Sequence, residues 1–219
     1  MGRVSALKNV RVFYKKTGRM KFVSHLDMNR FMSRCIKKAG IPIWYTEGFH
    51  PHPYIAFALP LSLGFESEYE IIDLRLVDDN YPLEQVVEKL NEVFPPYVRA
   101  FDAAEPITKV GKIAFADFDI IFNDTDVKPE ELQNFLNQES IIVSKRTKKG
   151  TFKEIDIAPK IKAYSINENS LKITLPAGSE DNLNPELLLG EFFEKHSSVY
   201  STYRITRTMV YDGDMKPFK

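Results

Sequence analysis

Residues 21–63 read KFVSHLDMNRFMSRCIKKAGIPIWYTEGFHPHPYIAFALPLSL, and this segment decides the fold of the first half of the chain. Ser24 is a good N-cap, and Asp27 three residues later suits the positive end of a helix. Apolar residues then recur at three- and four-residue spacing until Gly40, which ends the helix. Cys35 falls on the apolar stripe and is expected to be a buried small hydrophobe. The segment therefore predicts a helix with a buried apolar face and a basic outer face.

Strands and a second helix are predicted on both sides of this helix. Alternating or short apolar runs between turn residues indicate strands, and an apolar stripe that ends at Pro95 and Pro96 indicates a helix. The strands are expected at residues 10–14, 54–61, 69–77 and 97–101, with extended chain at 41–45 and the helix at 82–94. The predicted order is strand, helix, strand, strand, helix, strand.

The second half of the chain is expected to repeat this plan after a linker around residues 110–114. Strands are predicted at residues 115–122, 141–145, 171–175 and 203–211, and helices at 129–136 and after Pro185, while 152–166 is unassigned. The predicted fold class is α+β, with two tandem ferredoxin-like (βαββαβ) units and antiparallel sheets. The expected domains are residues 1–109 and 110–219.

Composition limits the classes of function. With 43% hydrophobic residues in 219, the chain can bury a sizeable core, and its single cysteine excludes an internal disulfide or a multi-cysteine metal site. Thirty basic and thirty acidic residues argue against nucleic-acid binding by bulk charge alone. No signal peptide, lipidation motif or long apolar run is recognised, so we expect a cytoplasmic protein without membrane contact.

Charge is segregated along the chain despite this balance. The first fifty residues carry eleven lysines and arginines against two acidic residues, whereas residues 66–105 are mainly acidic. A second basic cluster at a predicted hairpin tip contains Lys145, Arg146, Lys148 and Lys149. These clusters indicate either a groove for an anionic ligand or ordinary solvated surfaces.

The sheet of the first predicted unit has one face without helices. Strict alternation would place there Arg11, Phe13, Lys15, Asp73, Arg75, Arg99 and Phe101. Aromatic rings stack on bases and guanidinium groups hold phosphates, so this face could bind single-stranded RNA. Alternatively, the open faces of the two units pack on each other.

The histidines His25, His50 and His52 allow three interpretations. They could bind a transition metal, although no carboxylate or cysteine set completes such a site. One of them, near Tyr45 or Lys21, could act as a general acid or base in metal-free RNA cleavage. In the structural interpretation, their rings hydrogen-bond backbone carbonyls and present a recognition loop stiffened by prolines. We expect no metal and no cofactor.

The leading hypothesis is a non-catalytic RNA-binding or substrate-presenting protein. It uses the basic face of the first helix, including Lys37 and Lys38, and the loop after it. The candidate RNA-binding residues are Lys21, His25, Arg30, Arg34, Tyr45, Phe49, His50, His52, Lys145, Arg146, Lys148 and Lys149. One alternative is a metal-independent endoribonuclease of the CRISPR RNA-processing type, by analogy of fold. Another is a protein adaptor that docks through the acidic block at residues 66–92.

A family resemblance rests on the motifs KF, SHLD, GF, PHP, FA and PL, with Gly64, Ser67, Glu68, Glu70 and Asp73 after them. In these motifs the first half resembles a bacterial family of unknown function, the radical SAM-linked proteins. Thr46 and Ala56 depart from residues that are frequent in that family, and in the second half only KEIDIAPKI at residues 153–161 is similar. The resemblance implies an accessory to a radical S-adenosylmethionine enzyme in the company of RNA-processing proteins. A partner would supply the iron–sulfur cluster, because the chain lacks the three cysteines.

Overall fold

The computed structural model describes residues 7–123, 127–146, 150–196 and 202–219, and of Arg146 it describes the backbone alone. Ten strands and four α-helices within these residues form an α+β fold, and this class was predicted from the sequence. The chain divides into two compact units, Met1–Val110 with Lys219 and Gly111–Phe218, called unit 1 and unit 2 below.

From residue 7 onward, unit 1 contains four strands and two α-helices in the predicted order. They are β1 (Lys8–Lys16), α1 (His25–Lys38), β2 (Ile55–Phe57), β3 (Glu66–Leu76), α2 (Leu83–Val93) and β4 (Val98–Ala104), with a 3-10 helix at Gly18–Phe22. The strands are antiparallel and lie in the order β4-β1-β3-β2. β2 is shorter than predicted and ends at Phe57, although the Ala58 N–H still donates to the Ile71 carbonyl of β3 at 3.0 Å.

Unit 2 contains six strands and two helices in the described residues. They are β5 (Ile113–Phe122), α3 (Pro129–Leu136), β6 (Ile142–Arg146), β7 (Phe152–Asp156), β8 (Ala163–Asn167), β9 (Ser170–Pro176), α4 (Pro185–Lys195) and β10 (Tyr203–Asp212). Four of these strands form an antiparallel sheet in the order β10-β5-β9-β8. β6 and β7 form a separate hairpin.

The hairpin differs from the prediction for the second half. β6 was expected to follow the helix as a strand of the main sheet, but it pairs with β7 from Ile142 opposite Asp156 to Arg146 opposite Phe152. The sheet instead takes β8, from the segment that the sequence left unassigned. A five-residue alternation identifies a strand but does not specify its partner, which explains the error.

The first helix begins and packs as its sequence predicts. The Ser24 hydroxyl accepts a hydrogen bond from the Asp27 N–H (3.2 Å) and donates one to the Asp27 carboxylate (2.8 Å). The Ser24 hydroxyl and then Arg30 lower the pKa of Asp27. Met28, Met32 and Ile36 are buried against the sheet together with apolar residues of β1 and β3. Cys35 is also buried, and this burial raises the pKa of its thiol, as expected for a structural cysteine.

A buried ion pair occupies the other face of this sheet. Arg11 is 1% exposed, and its Nε and Nη2 each donate to a carboxylate oxygen of Asp73 at 2.7 Å. Its Nη1 donates to the Thr108 carbonyl at 2.9 Å. Phe13 is buried too, with its ring 5.3 Å from Tyr69. The expectation that Arg11 and Phe13 are open to RNA is therefore wrong, because internal contacts cover both side chains.

We predict that Asp73→Ala destabilises the protein by about 3 kcal/mol, since it leaves the Arg11 guanidinium buried without its carboxylate. Urea unfolding followed by circular dichroism measures this. The double variant Arg11→Met/Asp73→Leu removes both charges and should recover most of the lost stability. If Asp73→Ala were as stable as the native protein, the Arg11–Asp73 pair would not hold β1 and β3 together.

Candidate functional site

A loop at residues 46–52 projects from unit 1 between two tied ends. The Thr46 N–H donates to the His52 carbonyl at 2.9 Å, and Tyr45 forms a β-bridge with Pro53. At the tip, Gly48 has a φ of +120°, which glycine adopts without strain. Phe49 beside it is fully exposed. The loop therefore holds an aromatic ring in solvent on a base that is hydrogen-bonded across its width.

His52 is fixed by contacts inside the loop. Its Nδ1 lies 3.1 Å from the His50 carbonyl and 3.0 Å from the Thr46 hydroxyl, and its backbone N–H donates to that hydroxyl at 3.2 Å. A carbonyl only accepts, so a hydrogen bond between this ring and the His50 carbonyl requires a proton on Nδ1. This arrangement is the one that the structural interpretation of the histidines expected.

Below the loop, a cation–π cluster anchors its two ends to β3. The Arg75 guanidinium carbon lies 5.1 Å from the Trp44 ring centre and 4.5 Å from that of Tyr54. The Trp44 backbone N–H donates to the Arg75 backbone carbonyl at 2.6 Å. Arg75 Nε donates to the side-chain oxygen of Asn9 at 3.1 Å. Arg75 shares the open sheet face with Asp73, as alternation predicted, and there it supports the loop.

The outer face of α1 is basic, as the sequence indicated. The cations on it are all exposed and are Arg30, Arg34, Lys37 and Lys38. Arg30 pairs with Asp27 at 3.1 Å. Arg34 and Asp27 border a groove of about 280 Å³ whose apolar wall consists of Met20, Val23, Phe31 and Cys35. A flexible anionic ligand could therefore contact both cations and apolar surface along this helix.

His25 lies at the start of α1, away from the loop histidines. Its ring packs edge-on against Phe57 at 5.0 Å between centres, and its Nε2 is 3.5 Å from the Asn29 amide. Phe57 follows His52 by five residues of mostly extended chain, which spans on the order of 15 Å. Among the residues described, no hydrogen bond or ring contact joins His25 to His52. His25 and His52 thus belong to separate groups of contacts.

The remaining candidates lie elsewhere. Lys21 pairs with Glu66 at 3.8 Å and lies over the Phe22 ring. In unit 2, Lys145 donates to the Asn182 carbonyl at 2.8 Å, and Arg146 ends β6. Lys148 and Lys149 lie outside the described residues.

Sequence reasoning missed an exposed apolar patch formed by Phe22, Leu26 and Leu63, which are 60–68% exposed. A hydrogen bond from the Gly64 N–H to the Lys21 carbonyl (2.8 Å) brings the segments that carry Leu63 and Phe22 together. Leu26 lies off the buried stripe of α1, so the helical periodicity could have identified it as an outward-facing leucine.

Two further kinds of feature are absent from the described part of the chain. No group of three or more histidine, cysteine, aspartate or glutamate side chains is arranged to hold a metal ion. No helix has the length and apolar character needed to cross a bilayer.

A family model described as "Uncharacterized protein conserved in bacteria" (DUF2344) matches residues 9–185. The chain belongs to this family. The matched range includes α1, the loop at residues 46–52 and most of unit 2, so the assignment extends well beyond the motifs of the first half. The resemblance to a bacterial family of unknown function is confirmed at this level. No curated protein matches the chain. The DUF2344 assignment therefore names a family without an activity.

Proposed function

We propose that this protein is a non-catalytic accessory that binds single-stranded RNA in the cytoplasm. The observation that carries the proposal is Phe49, a fully exposed phenylalanine at the tip of a loop whose two ends are hydrogen-bonded together. A ring that is held in solvent can stack on any base without first being ordered, and this lowers the entropic cost of binding. Tyr45, also exposed, offers a second ring at the base of the loop.

Cations near an aromatic loop would supply the attraction to phosphates. The four exposed cations of α1 lie in the same unit as the loop, and α1 leads directly into the segment that begins it. Because the whole chain is neutral, binding would depend on this local cluster and would be sensitive to salt. Lys145 and Arg146 in unit 2 could add further phosphate contacts.

The different contacts of His25 and His52 favour binding over cleavage. Metal-free RNA cleavage needs an acid and a base that both reach the scissile linkage within hydrogen-bonding distance. His25 contacts Phe57, whereas the Nδ1 of His52 is occupied within the loop. The endoribonuclease alternative would gain support only from cleavage in chelator that is lost in His25→Ala or His52→Ala.

The strand orders support the proposal that both units are ferredoxin-like. β4-β1-β3-β2 in unit 1 follows the order fourth, first, third, second that a split βαβ motif gives. β10-β5-β9-β8 repeats this order in unit 2, with the β6-β7 hairpin inserted after α3. Such sheets are common supports for RNA-binding surfaces, although the fold by itself assigns no function.

We predict that Phe49→Ala weakens binding of a fluorescent single-stranded oligoribonucleotide about tenfold, because it removes one stacking ring. Fluorescence anisotropy at low salt measures the affinity. Phe22→Ala is the matched control, since it removes an equally large exposed ring from another surface and should leave binding unchanged. Equal affinity of Phe49→Ala and the native protein would contradict the proposal.

Salt titration separates stacking from charge in the same assay. Phe49→Ala should keep the native slope of log affinity against log salt. Arg34→Gln should reduce that slope by about 0.7, the value expected for one lost phosphate contact to a single strand. An affinity that does not change with salt would exclude the basic face of α1 from the binding surface.

A second candidate role is docking to a radical S-adenosylmethionine enzyme, and the exposed patch of Phe22, Leu26 and Leu63 favours it. The test is co-purification of the two proteins after ribonuclease treatment. We predict that a complex formed through this patch is lost in Leu26→Ser, because the substitution breaks the apolar contact. A complex that persists in Leu26→Ser would contradict docking at the patch.

A further inference from the structure

The groove beside α1 is lined by side chains that the core of unit 1 holds from the inside. Met20, Val23 and Phe31 are half-buried, and all three pack against that core. The ring of Phe31 is also stacked on the ring of Phe94, with 5.8 Å between the two centres. Cys35, which is buried, completes the apolar lining. The core therefore fixes the shape of the groove, while the outer sides of its walls remain open to a ligand.

The size of the groove suits a short stretch of a helix. Its volume of about 280 Å³ is below the roughly 300–1,000 Å³ of small-molecule pockets, which also enclose most of their ligand. Asp27 and Arg34, which border the groove, are seven residues apart on α1 and hence separated by about 10 Å along its axis. Two turns of a partner helix have the same length, and they present apolar side chains to one surface at positions i, i+3 or i+4, and i+7.

Positive charge borders the groove towards the C-terminal end of α1. Arg34 and Lys38 are exposed, and neither forms an ion pair with a residue that the structure describes. Burial raises the pKa of the Cys35 thiol, and the charges of Lys38 and Arg34 oppose this increase, so both charges act on the groove lining. Asp27, the acid at the other end, is paired with Arg30 at 3.1 Å. The border of the groove therefore carries a net positive charge.

We propose that this groove binds an acidic amphipathic helix of a partner protein. Apolar side chains of that helix fill the space between Met20, Val23 and Phe31. Its carboxylates lie against Arg34 and Lys38. Removal of the apolar lining from water provides the affinity, and the two cations select an acidic partner over a basic one. The flexible thioether of Met20 adapts to the exact shape of the apolar side chains.

The lining favours a peptide over RNA in this groove. Bases stack on flat aromatic faces, but three of the four apolar residues that line the groove are not aromatic, and the ring of Phe31 already stacks on Phe94. A base would also bury the polar groups of its edges, for which the described lining offers only the side chains of Asp27 and Arg34. Aliphatic side chains of a peptide have no such groups to satisfy.

The experiment is a selection from a phage-displayed library of helical peptides on the immobilised full chain. Enriched peptides should combine apolar residues at helical spacing with aspartate and glutamate, although the starting library contains acidic and basic residues equally. A fluorescent synthetic copy of the most enriched peptide then gives the affinity by anisotropy. Arg34→Glu should weaken its binding at least about tenfold, because the reversed charge repels the carboxylates. Arg99→Glu is the matched control, since it makes the same reversal at an exposed arginine of β4 outside the groove and should leave the affinity unchanged.

A second variant tests the apolar lining. Met20→Ala removes part of the groove wall without changing a charge, and it should weaken the peptide at least about threefold. Circular dichroism confirms that each variant is folded. The proposal is overturned if no peptide is enriched over a surface without protein, if the enriched peptides are not acidic, or if either groove variant binds the peptide like the native chain. An equal loss of affinity in Arg99→Glu would also overturn it, because the attraction would then come from general charge.

An RNA arm separates this inference from the role proposed for the loop at residues 46–52. Phe49→Ala should bind the peptide like the native chain, and Met20→Ala should bind the single-stranded oligoribonucleotide like the native chain. Weaker binding of the oligoribonucleotide by Met20→Ala would assign the groove to RNA and overturn the proposal. The inference is also independent of the exposed patch of Phe22, Leu26 and Leu63, because none of these three residues lines the groove.

Discussion

Strand β3 is the element on which unit 1 depends, because its two edges hold different parts of the chain. One edge pairs with β1, and the buried pair of Arg11 and Asp73 reinforces this contact. The other edge pairs with β2, and its Arg75 carbonyl accepts a hydrogen bond from the Trp44 backbone N–H. Backbone groups inside a sheet must be paired, so neither edge can slip without breaking several hydrogen bonds. The loop that leaves this edge is therefore presented from a fixed base.

Local contacts then determine what the loop exposes. Arg75 lies against Trp44 and Tyr54, and His52 is held by Thr46, so these groups support the loop. Phe49 has no such role and is exposed to solvent. A neutral chain can thus present a fixed aromatic tip in the same unit as a basic helix, and local arrangement rather than total charge would provide the attraction to RNA.

The features that the sequence predicted well are local ones. The Ser24 cap and the buried stripe of α1 depend on residues within one or two helical turns of each other. Alternation placed Arg11 on the correct face of β1, but it could not reveal that Asp73, sixty-two residues away, neutralises it. The separate hairpin of β6 and β7 was missed for the same reason, since pairing between strands is a tertiary property.

The candidate functional residues show the same contrast between local features and contacts made by residues distant in sequence. His25 contacts Phe57 of β2, whereas His52 contacts Thr46 and His50 inside the loop, and only the contacts of His52 are local in sequence. Which of the candidate residues lie close together therefore depends on strand pairing, which the sequence alone does not specify.

Amide hydrogen exchange of the free protein tests most directly whether the loop has a fixed base. The account predicts that the Thr46 and His52 amides exchange at least about tenfold more slowly than in an unstructured peptide, because both are hydrogen-bonded across the loop. In Thr46→Val, the His52 amide alone should lose this protection. Exchange of both amides at the unstructured rate in the native protein would contradict the claim that β3 presents a preformed loop.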